Sequence, residues 1–181
     1  MIAYKGFNKD LTCTRGKGTY QYEIGKKYVE DKAQCASTGF HCCEEPIEVL
    51  TWYPQIEARY CMVEAGGDIH EDGTNKISCT EMTIIKEISL ELLGGLECKW
   101  IMNHPECKTS RHVHEKEWKA KEGEIAIVRG KNPKAAGALG TTIYLLKEAK
   151  GSSDIEEVGV FQIDGEEYKP DTFYLVDGSE A

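Results

Sequence analysis

The sequence predicts an α+β protein, mainly antiparallel sheet with two short helices and a zinc-stabilised insertion. It is expected to form a single domain over residues 1–181, with the insertion at about 98–122. Three observations carry this. Short stretches that alternate apolar and polar residues recur toward both ends of the chain, which is the period of half-buried strands. Two stretches combine helical spacing with a recognisable start. Between the second of these and the last strands lies ECKWIMNHPECKTSRHVH (97–114), which holds three of the five histidines and two of the eight cysteines.

The elements follow in order. IAYKGF, from Ile2, alternates and reads as a first strand; Asn8-Lys9-Asp10 turns the chain before Leu11-Thr12-Cys13. Gly16-Lys17-Gly18 separates these from TYQYEIG (19–25), read as a hairpin partner, and Tyr28-Val29 continues in strand character. Gly39 marks a backbone bend before FHCC, an apolar strand. Pro46 suits the first turn of a helix whose positive end Glu44 and Glu45 favour. Ile47, Leu50 and Trp52-Tyr53 form the apolar face of that helix, and Pro54 ends it. RYCMVEA (59–65) is the strongest strand signal, followed by turns at Gly66-Gly67-Asp68 and Glu71-Asp72-Gly73 and by a strand at 83–88.

Ser89 is a good N-cap for a helix running to about Met102, with Leu90, Leu93, Cys98 and Ile101 on one stripe. Gly94-Gly95 weakens that helix by ~1 kcal/mol per glycine. The tail returns to strands at EIAIVRG (124–130), TTIYLLKEA (141–149), VGVFQID (158–164) and TFYLVDG (172–178). AAGALG (135–140) is a small-residue corner, and Asp164-Gly165 is a turn signal. No internal repeat is evident.

A chain of 181 residues, 40% hydrophobic and 29% charged, is long enough to bury a sizeable core. No apolar run approaches the ~20 residues needed to span a bilayer, and MIAYKGFNKD lacks the apolar region of a secretory signal. The expected location is cytoplasmic, with no membrane partner. In that compartment the eight cysteines read mostly as small buried apolar residues.

The net charge of −9 is uneven. Residues 1–34 carry +3 (7 basic, 4 acidic), 35–97 carry −9 (3 against 12), 98–135 carry +4 (9 against 5) and 136–181 carry −7 (3 against 10). Direct nucleic-acid binding is not expected of such a balance; a basic protein surface as partner is.

In the Cys/His stretch, His104-x-x-Cys107 spans a tight turn, and His112-x-His114 places two imidazoles on one face of an extended segment. Zinc takes four tetrahedral nitrogen or sulfur ligands. The expected structural zinc site is therefore His104, Cys107, His112 and His114. Cys98 is the substitute for one histidine, giving the commoner two-Cys, two-His set. A catalytic zinc would need a nearby base, for which Glu106, Glu115 and Glu117 stand close in sequence.

AYKGFNKDLTC, YQYEIGKKY, Gly39-Phe40-His41 with Cys43, Pro46 and Trp52-Tyr53-Pro54 resemble an uncharacterised domain found in phage and prophage proteins. The ending is similar too: Ala136-Gly-Ala-Leu-Gly140, then IDGEEYKPDTFYLVDG. The resemblance covers about 3–103 and 123–178. Members of that family carry repeats in the middle that look like a β-helix, and here the Cys/His stretch stands in their place. The resemblance, together with the small size, the acidic stretches and the lack of a convincing catalytic set, implies a binding protein of phage or mobile-element origin that inhibits a host defence system and holds the zinc expected from the Cys/His spacing. The expected partner is a CRISPR RNA-guided nuclease, met through direct protein contact by acidic side chains and aromatics such as Trp52, Tyr53, Trp100 or Trp118. The first half also resembles ADP-ribosyltransferase-like folds, which implies an enzyme alternative with Tyr4, His41 and Glu64 as its candidate residues.

Overall fold

Strand β1 (Ile2–Phe7) has five of its six residues buried, because it is covered on both faces. Short strands β2 (Thr12–Cys13) and β3 (Tyr20–Gln21) make a two-stranded hairpin, and β4 (Lys27–Val29) and β5 (Phe40–Cys42) follow. A 3-10 turn over Pro46–Glu48 leads into α1 (Val49–Trp52), where proline occupies the first turn as its missing N–H permits. Two long strands, β6 (Arg59–Glu71) and β7 (Ile77–Ile88), complete the first part of the chain. The structure is a computed structural model that describes residues 1–14, 18–53, 57–107 and 110–181. Gly16 and Lys17, expected in a separator, and Pro54, expected to end a helix, lie outside the described residues.

The chain divides into two compact units, Met1–Leu90 and Glu91–Ala181. In the first, β1 pairs with β6, β6 with β7, and β7 with both β4 and β5, all antiparallel. Tyr4 and Cys43 then exchange both backbone hydrogen bonds at 2.8 Å, carrying the segment after β5 back onto β1. The ladder β1–β6–β7–β5 thus returns on itself. Its interior is filled by Ala3, Phe7, Phe40, Val63, Met82, Ile84 and the thiols of Cys42, Cys61 and Cys79.

The turn expected at Gly66-Gly67-Asp68 is a bulge inside β6, where the register with β7 shifts between Gly66 and Ile69. Thr80 Oγ1 accepts a 2.8 Å hydrogen bond from the Asp68 N–H, so the strand continues where the local residues alone favour reversal. Gly67, at φ 68°, lies so close to this hydroxyl that a Cβ would stand 2.1 Å from it. The real reversal comes at Asp72-Gly73, as expected.

In the second unit, α2 (Leu90–Asn103) precedes β8 (His114–Ala120), β9 (Ile125–Gly137), β10 (Thr142–Glu148) and β11 (Ile155–Gln162). They form one sheet in the order β11-β10-β9-β8. The antiparallel expectation holds for the sheet of the first unit and for β10–β11, whereas β8–β9 and β9–β10 are parallel. From Glu117 onward the register steps by 17: Glu117 stands opposite Lys134, Ala120 opposite Gly137, and Ile125 opposite Thr142, while before the shift after Glu115 the pairs His114–Val128 and Glu115–Arg129 step by 14. The chain therefore winds as two stacked coils. Gly123 and Gly140 share one corner in the left-handed conformation, at φ 75° and 84°. Between the coil faces lie Ala120, Ala126, Val128, Ala135, Ile143, Leu145, Ile163 and Tyr174.

This winding explains two departures. Residues 98–122 are shared between the end of α2 and β8, an integral strand of the sheet. TFYLVDG is not a strand; Tyr174, 2% exposed, makes isolated bridges to Ala135 and Glu180, and its hydroxyl accepts a 2.6 Å bond from the Lys169 N–H. Its apolar character serves to plug the coil interior. No helix among the described residues is long and apolar enough to cross a membrane.

Helix α2 lies on the outer side of β9 and β10, with the Tyr144 hydroxyl donating to Glu91 O at 2.6 Å. A Cβ on Gly94 would meet the Tyr144 ring at 2.6 Å, while one on Gly95 would meet nothing within 4 Å. Gly94→Ala is expected to destabilise by about 1–3 kcal/mol through overpacking. Gly95→Ala is expected to stabilise by about 0.5–1 kcal/mol through helix propensity. Urea unfolding of the two variants checks both signs.

Candidate functional site: an aromatic cleft with buried cations

The first unit holds a cleft of about 530 Å³, walled by β1, the 36–43 segment, α1 and the β2–β3 hairpin. Aromatic residues fill this region because alternating Tyr and Phe on short strands project to one side of the sheet. The Tyr22 ring lies 4.8 Å from Tyr20, 4.9 Å from Tyr28 and 5.2 Å from Phe7, in tilted or edge-on arrangements. Burial raises the Tyr22 phenol well above its ordinary range, so it stays neutral. Tyr20 remains 43% exposed at the rim.

Against these rings sits an ammonium. Lys5 is only 7% exposed; its Nζ donates to the His41 carbonyl at 2.6 Å and lies 5.4 Å from the Tyr22 ring centre and 5.6 Å from Phe7. Lys5 forms no ion pair with any described residue. A carbonyl and two π-faces compensate part of its desolvation, but a buried ammonium ordinarily has a carboxylate partner. A second cation, Lys76, lies 4.3 Å over the Trp52 ring and also lines the cleft. The Trp52 indole Nε1 is buried without an acceptor among the described residues.

The 36–41 segment is held by backbone geometry. Ala36 (φ 61°) and Gly39 (φ 85°) are left-handed, and a Cβ on Gly39 would stand 2.5 Å from Ser78 Oγ, which donates to Thr38 O. His41 Nε2 accepts a 3.0 Å bond from the Ala36 N–H. Burial, then the charges of Lys5 and Lys76, hold the His41 imidazole below its usual pKa. The site therefore offers hydrogen-bond donors and positive charge beside flat apolar surfaces, the combination that receives a planar group carrying negative charge.

Tyr4 and His41 of the enzyme alternative both line this cleft. Glu64 is exposed on β6 and is not among the lining residues, so the three are not gathered in one place. Lys5 and Lys76 escaped the sequence reading. The available signal was a lysine set in the apolar alternation of IAYKGF, where a solvent-facing cation is the default assumption.

The four residues expected to hold zinc have these surroundings. The His104 ring stacks on Trp100 at 3.9 Å, its Nδ1 3.0 Å from the Trp100 carbonyl. The His114 ring stacks on Trp118 at 3.6 Å and 5°. Cys107 is exposed, and His112 Nε2 lies 3.4 Å from Arg111 Nε. Cys98 is buried on α2, its thiol pushed up to about 12 by desolvation. Among the described residues, no three His, Cys, Asp or Glu side chains stand together as a metal site. Zinc capture would draw both imidazoles off their indole faces. What ties the turn after α2 to the sheet here is Arg129, 5% exposed, which donates to Glu148 Oε1 at 2.9 Å, Pro105 O at 3.2 Å and Ser153 O at 3.1 Å.

All eight cysteines are free; six are buried, Cys13 is half-buried and Cys107 exposed. Cys43 and Cys61 are raised to about 12 by burial and stay as thiols.

Fold and cleft together define a two-unit α+β protein whose first unit carries a ligand-sized cleft. The chain belongs to the family described as a domain of unknown function, DUF7666, whose profile matches residues 1–94. That match contains the whole cleft and leaves out the stretch 123–178. No curated protein and no solved structure matches the chain.

Because the fold favours neutral His41, the sign of its pH dependence follows. Stability is full above the unfolded value of about 6.5, falls as pH drops below it while only the unfolded chain takes up the proton, and levels off below the folded pKa. An NMR titration of the His41 ring is expected to show a midpoint below 6.5, moving upward when Lys5 is replaced by Met.

Proposed function

We propose that this chain is a binding protein that acts by occupancy and not by turnover, and that the cleft of its first unit is the recognition site for a small molecule or side chain with a flat ring. The observation that supports this is the 530 Å³ cleft itself, with Tyr20 exposed at its rim and the Tyr22 and Phe40 rings buried behind. Such rings supply large apolar area at low entropic cost. Tyr4 and His41 line the cleft but Glu64 does not, which favours binding over the ADP-ribosyltransferase-like alternative built on those three residues. The zinc of the sequence reading would need His104 and His114 off their indoles, so this function does not draw on it.

The neutral fluorescent probe N-phenyl-1-naphthylamine tests the cleft. Saturable one-to-one binding to the folded chain is expected, weakened about three- to tenfold by Tyr20→Ala, the scale of one aromatic contact. Absence of binding, or indifference to Tyr20→Ala, defeats the reading.

A second reading concerns the partner. An inhibitor of a host defence system, carried by a phage or other mobile element and directed at an RNA-guided nuclease, is supported by the −7 charge of residues 136–181. It is also supported by β11, an edge strand with Val158 38% and Val160 52% exposed beside Glu156 and Glu157. An edge strand with exposed apolar side chains is a ready contact for another chain, and acidic neighbours steer toward a basic one. Capture of a purified CRISPR nuclease at low salt, lost as salt rises, is the expected result; no capture at low salt rejects this partner.

A further inference from the structure

Resting on the cleft reading, we propose that the site takes a planar ligand bearing an anionic group, phosphate or carboxylate, and that Lys5 is the counter-charge to that group.

Desolvating an ammonium costs several kcal/mol, and a buried cation is normally retained beside a carboxylate. Lys5 lies in β1, is 7% exposed and lines the cleft, yet has no acidic partner among the described residues. One of its three donors is used by the His41 carbonyl. The rings of Tyr22 and Phe7 stabilise the cation through their faces; they accept no strong hydrogen bond.

Three further features agree in sign. Lys76, the other cation of the cleft, is held over Trp52. The buried Trp52 indole N–H lacks an acceptor among the described residues. His41, between them in the lining, is held toward its neutral form by burial and by both lysines, so it adds a polar ring without repelling cations further. Glu30 is the acidic side chain in the lining, against two lysines. An anion entering the cleft finds two ammonium groups, both partly desolvated, where charge-assisted hydrogen bonds are strongest. Its ring would lie among the tyrosines and Phe40. A phosphate or a carboxylate meets this pattern equally, and the two sources separate experimentally.

Matched pairs supply the test: AMP against adenosine, and indole-3-acetate against indole-3-ethanol, each titrated by calorimetry into the full-length protein. The anionic member of at least one pair is expected to bind at least tenfold tighter than its neutral partner. A preference for AMP points to phosphate, and one for indole-3-acetate to carboxylate. Lys5→Met removes the charge at similar volume. It is expected to erase the preference while leaving the melting temperature unchanged or higher, since a lysine kept only for structure would lower it on replacement. Should Lys5→Met fail to fold, Lys76→Met, at a half-exposed position, is expected to reduce the same preference. Equal binding of charged and neutral partners, or a preference that survives loss of either lysine, overturns the inference. If the neutral naphthylamine probe binds with Tyr20 dependence but no anion is preferred, only this inference fails. If the probe itself does not bind, the cleft reading fails with it.

Discussion

Backbone pairing at strand edges is the constraint on which both units depend. An edge strand leaves a row of N–H and C=O groups that must find partners or water. The first unit answers by closure: the two 2.8 Å bonds between Tyr4 and Cys43 bring the end of the ladder back to its beginning. The second answers by stacking, each coil lending its edge to the next at a step of 17 residues. Both solutions bury strands on two faces, which is why small and apolar side chains, Cys61 and Cys79 among them, occupy the interior at near-zero exposure.

Closure also builds the site. Because the segment after β5 is pinned to β1 at Cys43, His41 is brought within reach of Lys5, a residue 36 positions earlier. The left-handed Ala36 and Gly39 then turn the chain so that the His41 carbonyl, not a carboxylate, meets the ammonium. A buried cation in that place, met by a carbonyl and two ring faces, is a poor choice for stability, and that cost is what supports the binding proposal. The exposed rim tyrosine and the Lys76–Trp52 pair extend the same chemistry toward solvent.

The stacked histidines teach a different lesson. His104 follows Trp100 by four residues, about one helical turn, and its ring stacks on the indole. His114 precedes Trp118 by four along β8, ~13 Å in a regular strand; the shift of register between Glu115 and Glu117, with Lys116 at φ 66°, shortens that distance so that these rings stack as well. A cluster of His and Cys close in sequence has two physical outlets, coordination or aromatic stacking, and a tryptophan four residues from His104 and from His114 makes the second available.

Alternation and turn chemistry were legible in the residues themselves: IAYKGF, RYCMVEA, the Ser89 helix start and the Asp72-Gly73 reversal depend on neighbours a few positions apart, and each lies where local propensity puts it. The coil repeat was nearly invisible, since Gly123 over Gly140 and Val128 over Leu145 share only size and backbone freedom. The bulge at Gly67, the plug made by Tyr174 and the meeting of Lys5 with His41 were decided by tertiary structure alone. Each depends on a partner dozens of residues away, and no local pattern specifies which distant backbone or hydroxyl will arrive to satisfy it.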